Sequence, residues 1–310
     1  MRVDPRHSVK LLTCLGIVYF VWGSSFLFSK IAVTHLPPAL FCSVRFVTAG
    51  TLLALIARYW AGDDWPRGLR EWRHVLVMGF MMVFASNGLN AWAIRYLPTN
   101  ESALLNGTAA FWIAGFGVFG RRGHPLTRRS LLGLCIGFLG TALLLLPRGG
   151  VRAASLLAQG GALGACLAWS LGTLYYRGID TKIGSLMFSS MQMLCGGLMF
   201  ATLALAHRDL AAWSANVPGL VALAYLTLVS SCLAFTAYGW LTLNSTPILI
   251  GTYSYVNPAV AAFLGWEFLH EQLSRLQLAG MVIVLVGVVL LTLPGSSLLD
   301  PVNIAEPKSQ

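Results

Sequence analysis

The chain consists largely of long apolar stretches separated by short polar segments. The ten stretches run over about 11–32, 38–57, 75–95, 101–120, 130–147, 154–176, 184–206, 218–240, 247–269 and 277–294. Each is long enough for a helix to cross about 30 Å of hydrocarbon. Hydrophobic residues make up 56% of the chain and charged residues only 10%, whereas about a quarter of a soluble domain is charged. The sequence therefore predicts an all-α membrane protein with ten transmembrane helices.

The second half of the chain repeats the first at a constant offset of 147 residues. The aligned pairs include Trp22 and Trp169, Lys30 and Arg177, Leu126 and Leu273, Thr127 and Ser274, Arg128 and Arg275, Gly133 and Gly280, Ile136 and Ile283, Gly140 and Gly287, and Pro147 and Pro294. Chance identity at so many positions under one offset is improbable. We therefore predict two repeats of five helices each, covering 1–147 and 148–310.

The basic residues are distributed unevenly over the two sides of the predicted bundle. If both termini are cytoplasmic, fourteen Lys and Arg residues fall inside and six outside, with Arg45 within a helix. This asymmetry follows the positive-inside rule, so the net charge of +10 requires no nucleic-acid partner. Because each repeat has five helices, the second must be inverted relative to the first. Inverted repeats around a central cavity are typical of secondary transporters.

Short motifs occur in a fixed order along the chain. They are WGSSF at 22–26, PP at 37–38, VRF at 44–46 and YVNP at 255–258, followed by Gly265 and Glu271. With these motifs the chain resembles the EamA family of the drug/metabolite transporter (DMT) superfamily, most nearly its YedA/PecM-like members, over essentially its whole length. The resemblance implies two inverted five-helix halves, a central cavity, and export of small metabolites or drugs across the bacterial inner membrane.

Arg45 is a charged residue within the second predicted helix. It follows Pro38 by seven residues, which is about 10 Å along a helix. A charge at this depth costs about 2.5 kcal/mol or more unless it faces partners or water. Arg45 is therefore either a cavity-facing cation that binds an anionic substrate group or a lock between packed helices. Its repeat counterpart is the neutral Gln192, so a cationic site would be one-sided.

Two further pairs are candidates for the cavity wall. Asn87 and Asn90 lie deep in the third apolar stretch, three residues apart and therefore on one helix face. Buried amides need partners, so they either line the cavity or hold helices together. Trp22 and Trp169 are related by the repeat, and they are either paired aromatic walls of one cavity or packing residues.

The ninth apolar stretch carries a polar group next to a proline. Tyr253, Tyr255 and Asn257 precede or adjoin Pro258, which should kink the helix and free the carbonyl of Ser254. The freed carbonyl, the tyrosine hydroxyls and the asparagine amide together would form a neutral binding surface. The alternative is a packing kink in which the tyrosines bond to neighbouring helices.

No carboxylate lies in the middle of an apolar stretch. Glu101 and Glu267 lie near helix ends and are the candidates for proton coupling if coupling exists, although interfacial charges fit them as well. The histidines are expected in loops or at helix ends and are His7, His35, His74, His124, His207 and His270. The six cysteines lack paired spacing, so we expect no disulfide, metal site or cofactor.

We interpret the chain as an inner-membrane secondary transporter, not an enzyme, that exports small metabolites such as amino acids, or drug-like compounds, by alternating access. The expected partners are a small-molecule substrate and the lipid bilayer. A homodimer is also expected as a possibility, because glycine pairs such as Gly133 and Gly137, or Gly196 and Gly197, allow close packing within or between chains. The alternatives are a membrane-embedded scaffold or sensor and a lipid-modifying enzyme, for which no nucleophile and base pair can be assembled.

Overall fold

The computed structural model describes residues 5–117, 127–144, 153–213, 216–270 and 274–292. In these residues the chain forms helices and no β-strand. The α-helices are α1 (Pro5–His35), α2 (Pro38–Tyr59), α3 (Leu69–Ala93), α4 (Thr99–Gly107), α5 (Ala109–Phe116), α6 (Arg128–Leu144), α7 (Ala153–Gly178), α8 (Ser185–Ala206), α9 (Val217–Asn244), α10 (Pro247–Gly251), α11 (Tyr253–Leu269) and α12 (Arg275–Thr292). The predicted all-helical fold is confirmed for this part of the chain.

Five of the described helices are long and apolar enough to cross a membrane, judged by length and composition. They are α1 from His7 onward, α2, α3, α8 and α9. At 1.5 Å per residue the 22 residues of α2 extend about 33 Å, which matches the hydrocarbon thickness. Shorter apolar runs lie in α6 and α12, over Leu131–Gly140 and Leu278–Gly287.

Local chemistry defines where several helices begin. Helix α2 begins at Pro38, which has no N–H to leave unsatisfied in the first turn. The side-chain oxygen of Asn216 accepts the N–H of Gly219 at 2.8 Å and so caps α9. Thr246 caps α10 in the same way, accepting from the N–H of Leu249 at 3.3 Å.

Two long helices change to π-helical geometry in their middle. The π-helical segments are Gly79–Ala85 in α3 and Leu226–Ala234 in α9. Their first residues are 147 positions apart, the offset of the sequence repeat. Such segments shift the side chains that follow to a different helix face and are frequent at functional sites. Ser86, which follows the first segment, and Ser230, which belongs to the second, both line the central cavity described below.

Helix α2 packs along α8 through two glycines. A Cβ atom at Gly50 would lie 2.9 Å from the carbonyl oxygen of Ser190, and one at Gly197 would lie 2.8 Å from the backbone nitrogen of Val47. Only glycine allows the two backbones to approach this closely. Gly50 and Gly197 are 147 residues apart, so repeat-related positions meet at this crossing.

Helix α6 packs along α12 in a similar way. A Cβ atom at Gly287 would lie 2.9 Å from the carbonyl oxygen of Gly133 and 2.9 Å from the backbone nitrogen of Gly137. A Cβ atom at Gly196 would lie 2.4 Å from the Cβ of Val83 on α3. These glycines therefore pack inside one chain.

The ninth apolar stretch is interrupted at Thr252, between α10 and α11, and not at Pro258. Helix α11 continues through Pro258, and the kink that the sequence predicts there stays a prediction. The carbonyl oxygen of Ser254, which the proline leaves without its helical partner, faces α4 and lies 2.9 Å from where a Cβ of Gly107 would be. Packing against α4 fills this side of the proline turn. The fourth stretch is also interrupted, at Thr108 between α4 and α5.

Candidate functional site

A cavity of about 100 Å³ lies at the centre of the bundle, between α1, α2, α3, α4, α7, α9 and α11. Seven of the nine residues that the sequence marks as binding candidates line it, namely Trp22, Arg45, Asn87, Asn90, Trp169, Tyr253 and Asn257. Gln192 lines a separate, smaller cavity of about 10 Å³. The side chain of Tyr255 lies outside the described residues. Residues far apart in sequence and from both halves of the chain therefore converge on one space.

The guanidinium of Arg45 is held by hydroxyl groups of α9. Its Nε donates to Ser231 Oγ at 2.8 Å and its Nη2 donates to Ser230 Oγ at 3.2 Å. The residue is only 8% exposed. None of the described residues that line the cavity is Asp or Glu, so the neutral hydroxyls leave the positive charge uncompensated. A guanidinium has five N–H donors, and the site is therefore suited to an anionic group.

The arrangement around Arg45 has no equivalent in the other half. The repeat offset aligns Arg45 with Gln192, and Ser230 and Ser231 with Val83 and Phe84. Gln192 is buried, and among the described residues its Oε1 has no hydrogen-bond partner. The arginine and its two serine partners thus occur together at this site, and all three are replaced at the repeat-related positions. This pattern indicates that the serines serve to hold the guanidinium.

Three asparagines from α3 and α4 form an amide cluster on another wall. Asn106 Nδ2 donates to Asn90 Oδ1 at 2.9 Å and to the carbonyl of Ser102 at 2.9 Å. Asn87 Nδ2 donates to the carbonyl of Met82 at 2.8 Å, within the π-helical segment of α3. The bond between Asn106 and Asn90 joins α4 to α3, and all three asparagines line the cavity. The two roles considered from the sequence are therefore compatible.

An aromatic cluster bounds the cavity on the side toward the C-terminal part of α7. It consists of Trp22, Trp169, Phe235, Tyr238 and Tyr253. The repeat-related Trp22 and Trp169 contact each other edge to face, with ring centroids 5.2 Å apart. Trp169 Nε1 donates to the Tyr238 hydroxyl at 3.0 Å. The two tryptophans are thus packing residues and cavity walls at once.

Asn257 connects α11 to α1 at the edge of the cavity. In the amide orientation that satisfies both of its polar atoms, it donates to the carbonyls of Tyr19 at 2.9 Å and Tyr253 at 3.1 Å. Next to it, the buried hydroxyl of Ser254 has no partner among the described residues. This wall is neutral and polar.

The two glutamates considered for proton coupling are placed differently from the cavity residues. Glu267 is exposed on α11 and does not line the cavity. Glu101 belongs to α4, and its side chain lies outside the described residues. Within the described ranges no group of three or more His, Cys, Asp or Glu residues forms a potential metal site, and the six cysteines are free.

Several residues of the cavity were not predicted from the sequence. Asn106 and the hydroxyls of Ser25, Ser29 and Ser230 also line it. Asn106 carried a usable signal, because an amide within an apolar stretch needs a partner. The serines carried none, since a serine in a membrane helix can bond to its own backbone, as Ser25 does with the carbonyl of Trp22 at 2.7 Å.

Comparison with known proteins gives consistent results over the whole chain. The model of the EamA-like transporter family matches twice, at residues 11–146 and 156–293. The chain is 28% identical to the uncharacterized inner membrane transporter YedA of Escherichia coli K12, over 93% of this chain and 92% of that protein. It is 24% identical to a probable amino-acid metabolite efflux pump of Salmonella typhimurium LT2, over 87% and 91%. A solved crystal structure matches with a TM-score of 0.71 at 18% identity, covering 92% of this chain and 96% of that one, which shows the fold alone.

Proposed function

The chain belongs to the EamA-like transporter family, and from this premise we propose that it is a multi-pass transporter of the bacterial inner membrane that exports small metabolites by alternating access. The family and its named relatives are transporters and not enzymes. The E. coli relative is named as an inner membrane protein and the Salmonella relative as an efflux pump. The proposal places both termini in the cytoplasm, an orientation that puts fourteen Lys and Arg residues on that side and six on the other, in keeping with the positive-inside rule.

Ten spans in two inverted repeats are part of this proposal. Two features support it: Trp22 contacts its counterpart Trp169, and Gly50 and its counterpart Gly197 each allow a close backbone approach at the crossing of α2 and α8. A further pair occupies helix ends. Lys30 Nζ donates to the carbonyl of Ile94 at 2.7 Å, just after the end of α3. Its repeat counterpart Arg177 donates to the carbonyl of Thr242 at 2.7 Å, at the end of α9. An internal two-fold relation accounts for all of these.

We propose that the central cavity is the substrate site and that Arg45 binds an anionic group there. The observation that carries this proposal is the buried guanidinium, which borders the cavity and whose partners among the described residues are all neutral. The amide cluster supplies donors and acceptors for a second polar group, and the aromatic cluster supplies an apolar surface. A small carboxylate with an apolar side chain, such as an amino acid, matches these three walls.

The volume of the cavity agrees with a small ligand. About 10–15 Å³ of such space holds one water molecule, so 100 Å³ corresponds to roughly seven to ten waters. An amino acid has a similar number of non-hydrogen atoms. A bulky drug would require the cavity to widen. A homodimer stays a prediction.

A ligand screen by thermal stabilisation tests the site. Purified protein is heated with L-leucine or L-phenylalanine and, in parallel, with the corresponding amides, which lack the carboxylate. A ligand at one hundred times its Kd should stabilise the protein by about 2.7 kcal/mol. We expect stabilisation by the acid and not by its amide, and loss of the effect in Arg45→Gln. Arg95→Gln is the matched control, because Arg95 is exposed and does not line the cavity.

Equal stabilisation by acids and amides would contradict the assigned role of Arg45. A strongly lowered melting midpoint of Arg45→Gln without ligand, together with unchanged ligand response, would identify the residue as a helix lock only.

A further inference from the structure

A buried histidine lies where α3 meets α7. His74 is 7% exposed, and its Nδ1 lies 2.6 Å from the hydroxyl of Tyr175 on α7. Its Nε2 is also buried and has no hydrogen-bond partner among the described residues. An unsatisfied buried polar atom destabilises the folded chain, so the presence of this one needs a physical explanation. The sequence suggested only a histidine near a helix end.

The contact between His74 and Tyr175 joins the beginning of α3 to the end of α7, at one end of these two helices. On α3, Asn87 lines the central cavity and Met78 lines the smaller cavity. His74 lies four residues before Met78 on the same helix. On α7, Trp169 lines the central cavity and the chain then continues to Tyr175. The aromatic cluster and the smaller cavity therefore lie between the substrate site and this contact. In an alternating-access cycle this end of the bundle must open.

The surroundings of His74 disfavour a positive charge on the imidazole while the contact is closed. The titratable groups next to it are Arg70, Glu71 and Arg73 on α3 and Tyr175 on α7. Arg70 and Arg73 repel a cation, and Glu71, which attracts it, is partly exposed. Arg177 is held by carbonyls at the end of α9. Helix α8, which also packs on α3, contains no Asp or Glu that could compensate.

We propose that His74 is a proton-binding site that couples opening of this end of the bundle to protonation, and so makes transport respond to pH. The inference rests on the proposed transport function. In neutral imidazole one ring nitrogen is a donor and the other an acceptor, and Tyr175 supplies the partner of Nδ1 while Nε2 has none among the described residues. Protonated imidazole has two N–H donors, and the one on Nε2 would point into a buried space without an acceptor. A proton from solvent therefore binds when the contact is open and hydrated, and acid favours the open state.

Hydrogen exchange measured by mass spectrometry tests this without any substrate. Peptides that cover 69–78 and 170–178 are compared between the wild type and His74→Gln at pH 6 and pH 8. Glutamine keeps a neutral hydrogen-bonding group beside Tyr175 but cannot titrate. Comparison at the same pH removes the intrinsic pH dependence of exchange. If the open state binds the proton ten times more tightly, opening increases up to about tenfold once the pH falls below the titration range.

We expect faster exchange of both peptides in the wild type than in His74→Gln at pH 6, and equal exchange at pH 8. His207→Gln is the control, because His207 is exposed at the end of α8, and it should behave as the wild type. Identical pH responses in the wild type and His74→Gln would overturn the proposal, as would loss of the response in His207→Gln. A pH response in a protein that transports nothing would refute the proposed function and leave the proton site standing.

Discussion

Substitution of the glycines at the crossing of α2 and α8 should reveal how tightly the two halves are joined. In Gly197→Ala the new methyl group would lie 2.8 Å from the backbone nitrogen of Val47 and 2.9 Å from its Cγ2. In Gly50→Ala it would lie 2.9 Å from the carbonyl oxygen of Ser190. Backbone atoms cannot rotate away as a side chain can, so the helices must separate. Overpacking of this kind costs about 1–3 kcal/mol.

Thermal unfolding of the purified protein in detergent measures this cost. For domains of roughly this size, 1 kcal/mol moves the midpoint by about 2–4 °C, so each variant should unfold at least about 2 °C lower. The matched control is Gly16→Ala on α1, where a Cβ would meet nothing within 4 Å. There the better helix propensity of alanine should leave the midpoint unchanged or raise it. If Gly50→Ala and Gly197→Ala unfold at the same temperature as Gly16→Ala, the close crossing of α2 and α8 does not exist in solution.

Two further substitutions probe the cavity and its frame. Ser231→Ala removes the hydroxyl that accepts from Arg45 Nε at 2.8 Å. This hydrogen bond orients the guanidinium and contributes about 1–1.5 kcal/mol. Its loss should raise the half-saturating substrate concentration roughly five- to tenfold. Thr34→Ala, on the exposed part of α1, should not change it, and an equal effect of both would contradict the assignment. Gly107→Ala would bring a methyl group to 2.9 Å from the carbonyl oxygen of Ser254 and should lower the unfolding midpoint by several degrees. An unchanged midpoint would mean that α4 and α11 are not in contact there.

Much of the fold could be predicted because its causes are local. Stretches of about 20 apolar residues must be helical in a membrane, and each predicted stretch is helical where it is described. The interruption of the ninth stretch illustrates the limit. Proline is the strongest local signal for a kink, but the division between α10 and α11 falls at Thr252, a single turn residue that no local signal marks. The π-helical segments also left no trace in the hydrophobic pattern, because helices that are apolar on most faces carry little periodicity.

The candidate site followed from polar residues in apolar stretches, since such groups must find partners or water. This argument selected Arg45 and the asparagines of α3, which line the cavity. It could not select their partners. Ser230 and Ser231 are 185 and 186 residues from Arg45, and the π-helical segment of α9 determines which face they occupy. The repeat symmetry does not extend to this cavity, because Gln192, the counterpart of Arg45, lines a different one.

The most direct test of the central claim is counterflow into proteoliposomes. Vesicles that contain the purified protein are loaded with unlabelled amino acid, and entry of the labelled form is followed for a panel of amino acids and small organic acids. We predict saturable counterflow for at least one carboxylate, severe loss in Arg45→Gln and normal rates in Arg95→Gln. Counterflow that is equally fast in Arg45→Gln and the wild type would contradict the assignment of this cavity as the site of an anionic group, and absence of counterflow across the panel would contradict the proposed substrate class.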